Sequence, residues 1–174
     1  MPVHSYIDES IRARNYYLVS IRIESEDIGW LRSHVAKKFT FRGRSIHMHR
    51  ESESIRKIAL NELCKLPISI DIFQATISNS VLKARHRAMS TLSDPNLIED
   101  CKLIVLENIS SDLQDKQILI NAAKGFNGIF PEFRHMSSHQ EPLLRLADVA
   151  AWSYGRGGKW RLNLSDKMRH VVVC

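Results

Sequence analysis

The chain has 174 residues, 44% apolar and 25% charged, with a formal net charge of +6 and a pI near 9.4. That length and balance are those of one soluble globular domain with a sizeable core, and no apolar run reaches the ~20 residues of a membrane-spanning helix. The positive excess favours a polyanionic partner, nucleic acid above all.

Residues 4–10 read as a first strand, with Tyr6 and Ile7 suited to a half-buried pleat. Asp8 and Glu9 follow directly, where a signal peptide would need an apolar core, so the expectation is a cytoplasmic protein. Residues 11–15 read as a turn. Residues 16–23, aromatic and β-branched, read as a second strand in a hairpin with the first. Ile28, Leu31, Val35 and Phe39 recur at helical spacing, which predicts a helix over 25–39. Gly43 breaks the chain before a short strand over 45–49, with His47 and His49 on one face and Glu51 close behind. A helix over 51–66 follows, ended by Pro67. The alternation from Ile68 to Thr76 predicts a strand. Residues 79–92 read as a helix carrying Lys83, Arg85, His86 and Arg87, and Asp94-Pro95 as a loop. The apolar run 102–106 reads as a strand buried on both faces, ending at Glu107. Ser111 and Gln114 have capping-box spacing for a helix reaching Lys124, with Gly125 as its stop. Residues 129–135 read as a short strand weakened by Pro131. Pro142 opens an apolar helix with Asp148 in its middle. The tail from Gly155 is basic, and its three valines can add an edge strand. Cys64, Cys101 and Cys174 are widely spaced and odd in number, as expected of reduced cysteines.

This order, a strand pair followed by alternating helices and strands, predicts a mixed central sheet with helices on its faces. Asp8 and Glu107 both stand near strand ends, and Asp148 lies beside a core-facing stripe. A carboxylate in such a place needs a partner. If the two strands are parallel neighbours, their acids converge, and the Asp148 helix can pack across them. Hard oxygen ligands of this kind suit Mg²⁺ or Mn²⁺. Glu9 is a fourth candidate ligand, but strand alternation sends neighbours to opposite faces, which favours Asp8 or Glu9 at one site and not both. The plainer reading is a set of unrelated surface acids. Lys83, Arg85, Arg87, Arg156, Lys159 and Arg161 are candidate phosphate contacts, with Trp160 among them as a stacking platform. A solvated helix face and a loose tail are the alternatives for these.

The Tyr-x-Asp-Glu-Ser start at Tyr6 to Ser10 and the Leu-x-Leu-Ala-Asp stretch at Leu144 to Asp148 together resemble an uncharacterised prokaryotic family with a ribonuclease H-like (retroviral integrase superfamily) fold. The resemblance spans about residues 3–157, leaving 158–174 as the basic tail. It implies an α/β ribonuclease H-like domain in which Asp8 and Asp148 match the family's acids, with Glu107 where relatives show an acid after a buried strand. The region of His47 corresponds to a central polar motif, so a proton-shuttling or substrate-contacting role is implied there. Two departures stand out. Ile11 replaces the usual glycine after Asp-Glu-Ser, and His135 to His139 replace an acid and a serine ahead of the last helix. The implied function is Mg²⁺- or Mn²⁺-dependent phosphodiester hydrolysis of DNA or RNA. The alternative is a non-catalytic nucleic-acid-binding or partner-binding protein with a degenerate metal site.

Overall fold

A computed structural model describes residues 1–108 and 112–174. Its frame is a six-stranded mixed sheet: β1 (Val3–Arg12), β2 (Asn15–Glu24), β5 (Ser69–Thr76), β6 (Cys101–Glu107), β7 (Glu132–Met136) and β8 (Met168–Val173). The strand order is β7-β6-β1-β2-β5-β8. β1 and β2 form the expected hairpin, and β6 lies parallel to β1 on its other side. β7 and β8 are the parallel edge strands. A two-stranded ribbon, β3 (Thr40–Phe41) and β4 (Arg44–Ser45), stands apart. Its turn residues Arg42 and Gly43 both have positive φ, 50° and 76°, as a two-residue hairpin connection matched to strand twist requires.

Side-chain alternation divides the core in two. Tyr6 on β1 and Val105 on β6 point to the front face, which carries α1 (Ile28–Lys38), α2 (Glu53–Lys65) and α6 (Leu144–Arg156). Ile7, Ile104 and Leu106 point to the back face, beneath α3 (Val81–Leu92) and α5 (Asp112–Lys124). The central strands read as continuous apolar runs because both faces are covered. α2 and α3 begin two residues later than expected, capped by Ser52 and Ser80, whose hydroxyls each accept an otherwise orphaned backbone N–H. Ten of the thirteen residues of α6 are buried, as expected of a helix that is apolar nearly all round.

Several expectations are corrected. β1 does not end at the acids. It continues to Arg12, and the turn shrinks to Ala13 and Arg14, with Ala13 at φ 51°. Ile11 is a strand residue opposite Tyr16 and needs no glycine. The expected strand 45–49 is absent: after β4 the chain makes a 3₁₀ turn, Met48–Arg50. Asp94-Pro95 starts a short helix, α4 (Pro95–Ile98), rather than a loop, with Asp94 capping it. The predicted capping serine, Ser111, lies outside the described residues. Past α6, the short helix α7 (Gly158–Leu162) leads to β8. All three cysteines are free. Among the described residues no helix is long and apolar enough to cross a membrane.

Candidate metal and nucleic-acid site

β1 and β6 are parallel and paired up to Ile7 opposite Leu106. One further step of that register brings Asp8 beside Glu107, just where β6 stops. Both are front-face residues by alternation, sharing the face of Tyr6 and Val105. α6 lies over the same strands, and the Asp148 charge acts on both acids. The carboxyl of Asp8 is pushed well above the usual carboxylate range, first by burial and then by Asp148 and Glu107. Glu107 is raised by burial and by Asp148. Asp148 is raised by burial, against the pull of a backbone hydrogen bond and of His47 and His49. All three side chains stay partly exposed, so a solute can reach them although protein surrounds them.

Each acid is oriented by a backbone N–H. Glu9 N donates to Asp8 Oδ1 at 2.7 Å. Met48 N, in the 3₁₀ turn, donates to Asp148 Oδ2 at 2.9 Å. Ser138 N hydrogen-bonds Glu107 and draws its pKa down. The turn, where a strand was expected, brings His47 and His49 close enough to act on Asp148. Neither Met48 nor Ser138 was legible as a contact, because a backbone donor leaves no mark in sequence.

Gly155 was missed as well. A Cβ there would lie 2.7 Å from Ser10 Oγ and 3.1 Å from Arg12 Cγ. The glycine lets α6 settle onto β1. It lies seven residues from Asp148, on the same side of the helix, so this close approach also sets how Asp148 sits over Asp8.

Glu9 goes to the back face, as strand alternation predicts for one of the pair. It accepts hydrogen bonds from Tyr16 Oη and from the Arg85 guanidinium. Arg85 also donates from Nε and Nη2 to Asp115 Oδ1 and Oδ2, at 2.9 and 2.6 Å. His135 Nε2 lies 3.3 Å from Asp115 Oδ2 and 3.8 Å from Asp112. Glu9 is thus not with Asp8, and Arg85 is not free for phosphate: the pair is internal, with Arg85 only 6% exposed. Asp112, Asp115 and His135 offer ligand atoms within 4.8 Å of one another. The Arg85 guanidinium already pairs with Asp115 and repels a second cation there, whereas among the described residues no lysine or arginine forms an ion pair with the front acids.

The remaining basic candidates separate by face. Lys83 and Arg87 are exposed on α3, at the back, and Arg87 donates to the Thr76 carbonyl. Arg156 and Lys159 are exposed at the end of α6 and on α7. Arg161 is half-buried, with Nε donating to Tyr154 O at 2.9 Å and its guanidinium 4.2 Å from the Tyr154 ring. Trp160 packs edge-on against Trp152, ring centres 5.0 Å apart, which commits it to the core instead of a base.

No family model matches the chain, and no curated protein matches it. Among solved structures it is similar to ribonuclease HII of Archaeoglobus fulgidus, determined in complex with PCNA, at 14% identity and a TM-score of 0.56 over 95% of this chain and 78% of that one. The chain has a ribonuclease H-like fold. At this identity the likeness concerns fold alone.

Proposed function

We propose that the protein hydrolyses phosphodiester bonds in a nucleic acid with the help of Mg²⁺ or Mn²⁺. One observation carries this reading: three carboxylates from β1, β6 and α6 share one face at the point where β6 ends, and among the described residues no lysine or arginine forms an ion pair with any of them. Asp8, Glu107 and Asp148 would hold the ion. Their oxygen donors suit a hard cation; burial raises all three carboxyls, and Asp148 raises Asp8 and Glu107 further, a repulsion that such a cation relieves. When bound, a divalent ion supplies Lewis acidity toward the phosphate and a source of hydroxide at neutral pH. The backbone donors Glu9 N, Met48 N and Ser138 N keep the acids oriented. His47, beside Asp148, is the side chain placed to carry a proton near the leaving oxygen. The +6 charge provides attraction for the substrate.

The second reading, a binding protein with a degenerate shell, is favoured by His135. It stands ahead of α6 where the resembled family has an acid, and it faces the back network. A panel of single- and double-stranded DNA, RNA and hybrid substrates with Mg²⁺ or Mn²⁺ separates the two. Cleavage by the wild type, lost with Asp148→Ala or EDTA, supports the hydrolase. No cleavage of any substrate supports the binding protein, and equal cleavage by Asp148→Ala overturns the acid site proposed here.

A further inference from the structure

The exposed basic residues lie on both faces of the sheet, but the acid centre opens on one. The front face also carries arginines that sequence reading passed over. Arg12, at the end of β1, and Arg56, on α2, both approach the ring of the buried Trp152, at 5.6 and 4.6 Å from its centre. Arg56 donates from Nε to Met48 O at 2.6 Å and from Nη2 to His49 O at 3.1 Å. It thereby braces the same turn whose N–H holds Asp148. Arg12 is an even-numbered residue of β1, on the side of Asp8 and two pleats further along. Its Nε is shielded from water and has no hydrogen-bond partner among the described residues. Arg156 follows at the end of α6, exposed, one residue past the Gly155 that touches Arg12.

Among the described residues none of Arg12, Arg56 and Arg156 has an acid within 4.0 Å, whereas Arg22, Arg32, Arg44, Arg85, Arg134 and Arg169 each do. Arg12 and Arg56 share the Trp152 indole, and Glu53, the acid that acts on Arg56 and Arg156, is already paired with Lys57 at 2.7 Å, so the guanidinium groups still repel one another. An anion placed between them relieves that repulsion and supplies the missing acceptors. On α3 the position is reversed. Arg85 is neutralised from within, leaving Lys83 and Arg87 on the face that the acids do not share.

We propose that a nucleic-acid strand leaves the acid centre along α6, its phosphates held by Arg12 and Arg56 at Trp152 and by Arg156 at the end of the helix, and that the α3 cluster takes no part. This rests on the nucleic-acid reading above and specifies the path of the strand. Arg12 and Arg56 are phosphate contacts, and Arg56 is also a positioning residue for Asp148 through the turn.

The test is fluorescence polarisation of labelled single-stranded DNA, duplex DNA and RNA against a salt series in EDTA, so that no strand is cut. The plot of log affinity against log salt should become shallower by roughly 1.4 to 1.8 when Arg12→Gln and Arg156→Gln are combined, since each phosphate contact contributes about 0.7 on single strands and 0.9 on duplex. Lys83→Gln with Arg87→Gln should leave the slope unchanged. Arg56→Gln should also flatten it. Should that variant melt early because the turn is released, the Arg12/Arg156 pair, which braces no turn, still decides. A slope flattened by the α3 pair, or left unchanged by the Arg12/Arg156 pair, overturns the path while the nucleic-acid reading stands. A wild type that binds none of the probes at low salt overturns both.

Discussion

Asp8 and Glu9 are neighbours in sequence and opposites in environment. Asp8 meets two more carboxylates on the front face, and its charge is opposed by both. Glu9 meets Tyr16 and Arg85 on the back face, within a network that runs through Asp115 to His135 on β7. The back network sets Arg85 against both Glu9 and Asp115 and ties β1, α3, α5 and β7 together. The front cluster leaves its charges uncompensated. Burial without a partner is costly, so the contrast teaches which acids serve the fold and which await a ligand.

The largest expected effect comes from the front. Asp8→Ala or Asp148→Ala should reduce cleavage in Mn²⁺ to background while leaving the fold intact, because each removes one of few ligands and relieves repulsion besides. Gel-based cleavage alongside circular dichroism checks this. An active Asp8→Ala protein would break the contrast between the faces.

The next effect is at the back. Arg85→Ala strands the Asp115 carboxylate, which is fully buried. Breaking a buried pair by removing one partner costs about 3–5 kcal/mol. Urea unfolding should therefore show Arg85→Ala far less stable than Lys83→Ala, two residues away and exposed. A loss below about 1 kcal/mol would mean that water reaches Asp115.

Gly155→Ala should follow. Its methyl group meets Ser10 Oγ at 2.7 Å, and overpacking of this kind costs about 1–3 kcal/mol. The same variant sharpens the comparison, because it lifts α6 from β1 without touching the back network. Metal affinity should drop more than the Arg85–Asp115 pairing is disturbed.

A smaller effect is expected from pH. The folded-state pKa values of Asp8, Glu107 and Asp148 are raised above their ordinary values. Between the unfolded value of about 4 and the raised folded value, the native state binds more protons than the unfolded state. Stability is thus fullest below about pH 4 as far as these groups are concerned, and it is lost as pH rises through the folded pKa. Melting curves in EDTA should show that loss for the wild type and less of it for Asp148→Asn, which should also be the more stable protein near neutral pH. Mn²⁺ should raise the wild-type melting temperature, by the equivalent of about 2.7 kcal/mol at one hundred times its Kd, and leave Asp148→Asn unchanged.

Much of this arrangement was legible in sequence, and the illegible parts have physical reasons. The strand-suited Tyr6 and Ile7, the unbroken apolar run 102–106 and the apolar helical stretch around Leu144 located β1, β6 and α6, and with them Asp8, Glu107 and Asp148. Alternation alone predicted that Glu9 and Asp8 would part. The 3₁₀ turn at Met48 is too short to carry a period, so it read as a strand. Arg85 read as a surface cation because its partners, Glu9 and Asp115, are 76 and 30 residues away in the chain. Arg12 and Arg56 meet only at the Trp152 ring, a contact between three elements that no local window contains.

The most direct measurement is Mn²⁺ binding by isothermal titration to the wild type, Asp8→Asn and Glu9→Gln. The account predicts that Asp8→Asn loses binding while Glu9→Gln keeps the wild-type affinity and is merely less stable. Loss of binding in Glu9→Gln with retention in Asp8→Asn would contradict it, and would move the ion to the back face beside Asp112, Asp115 and His135.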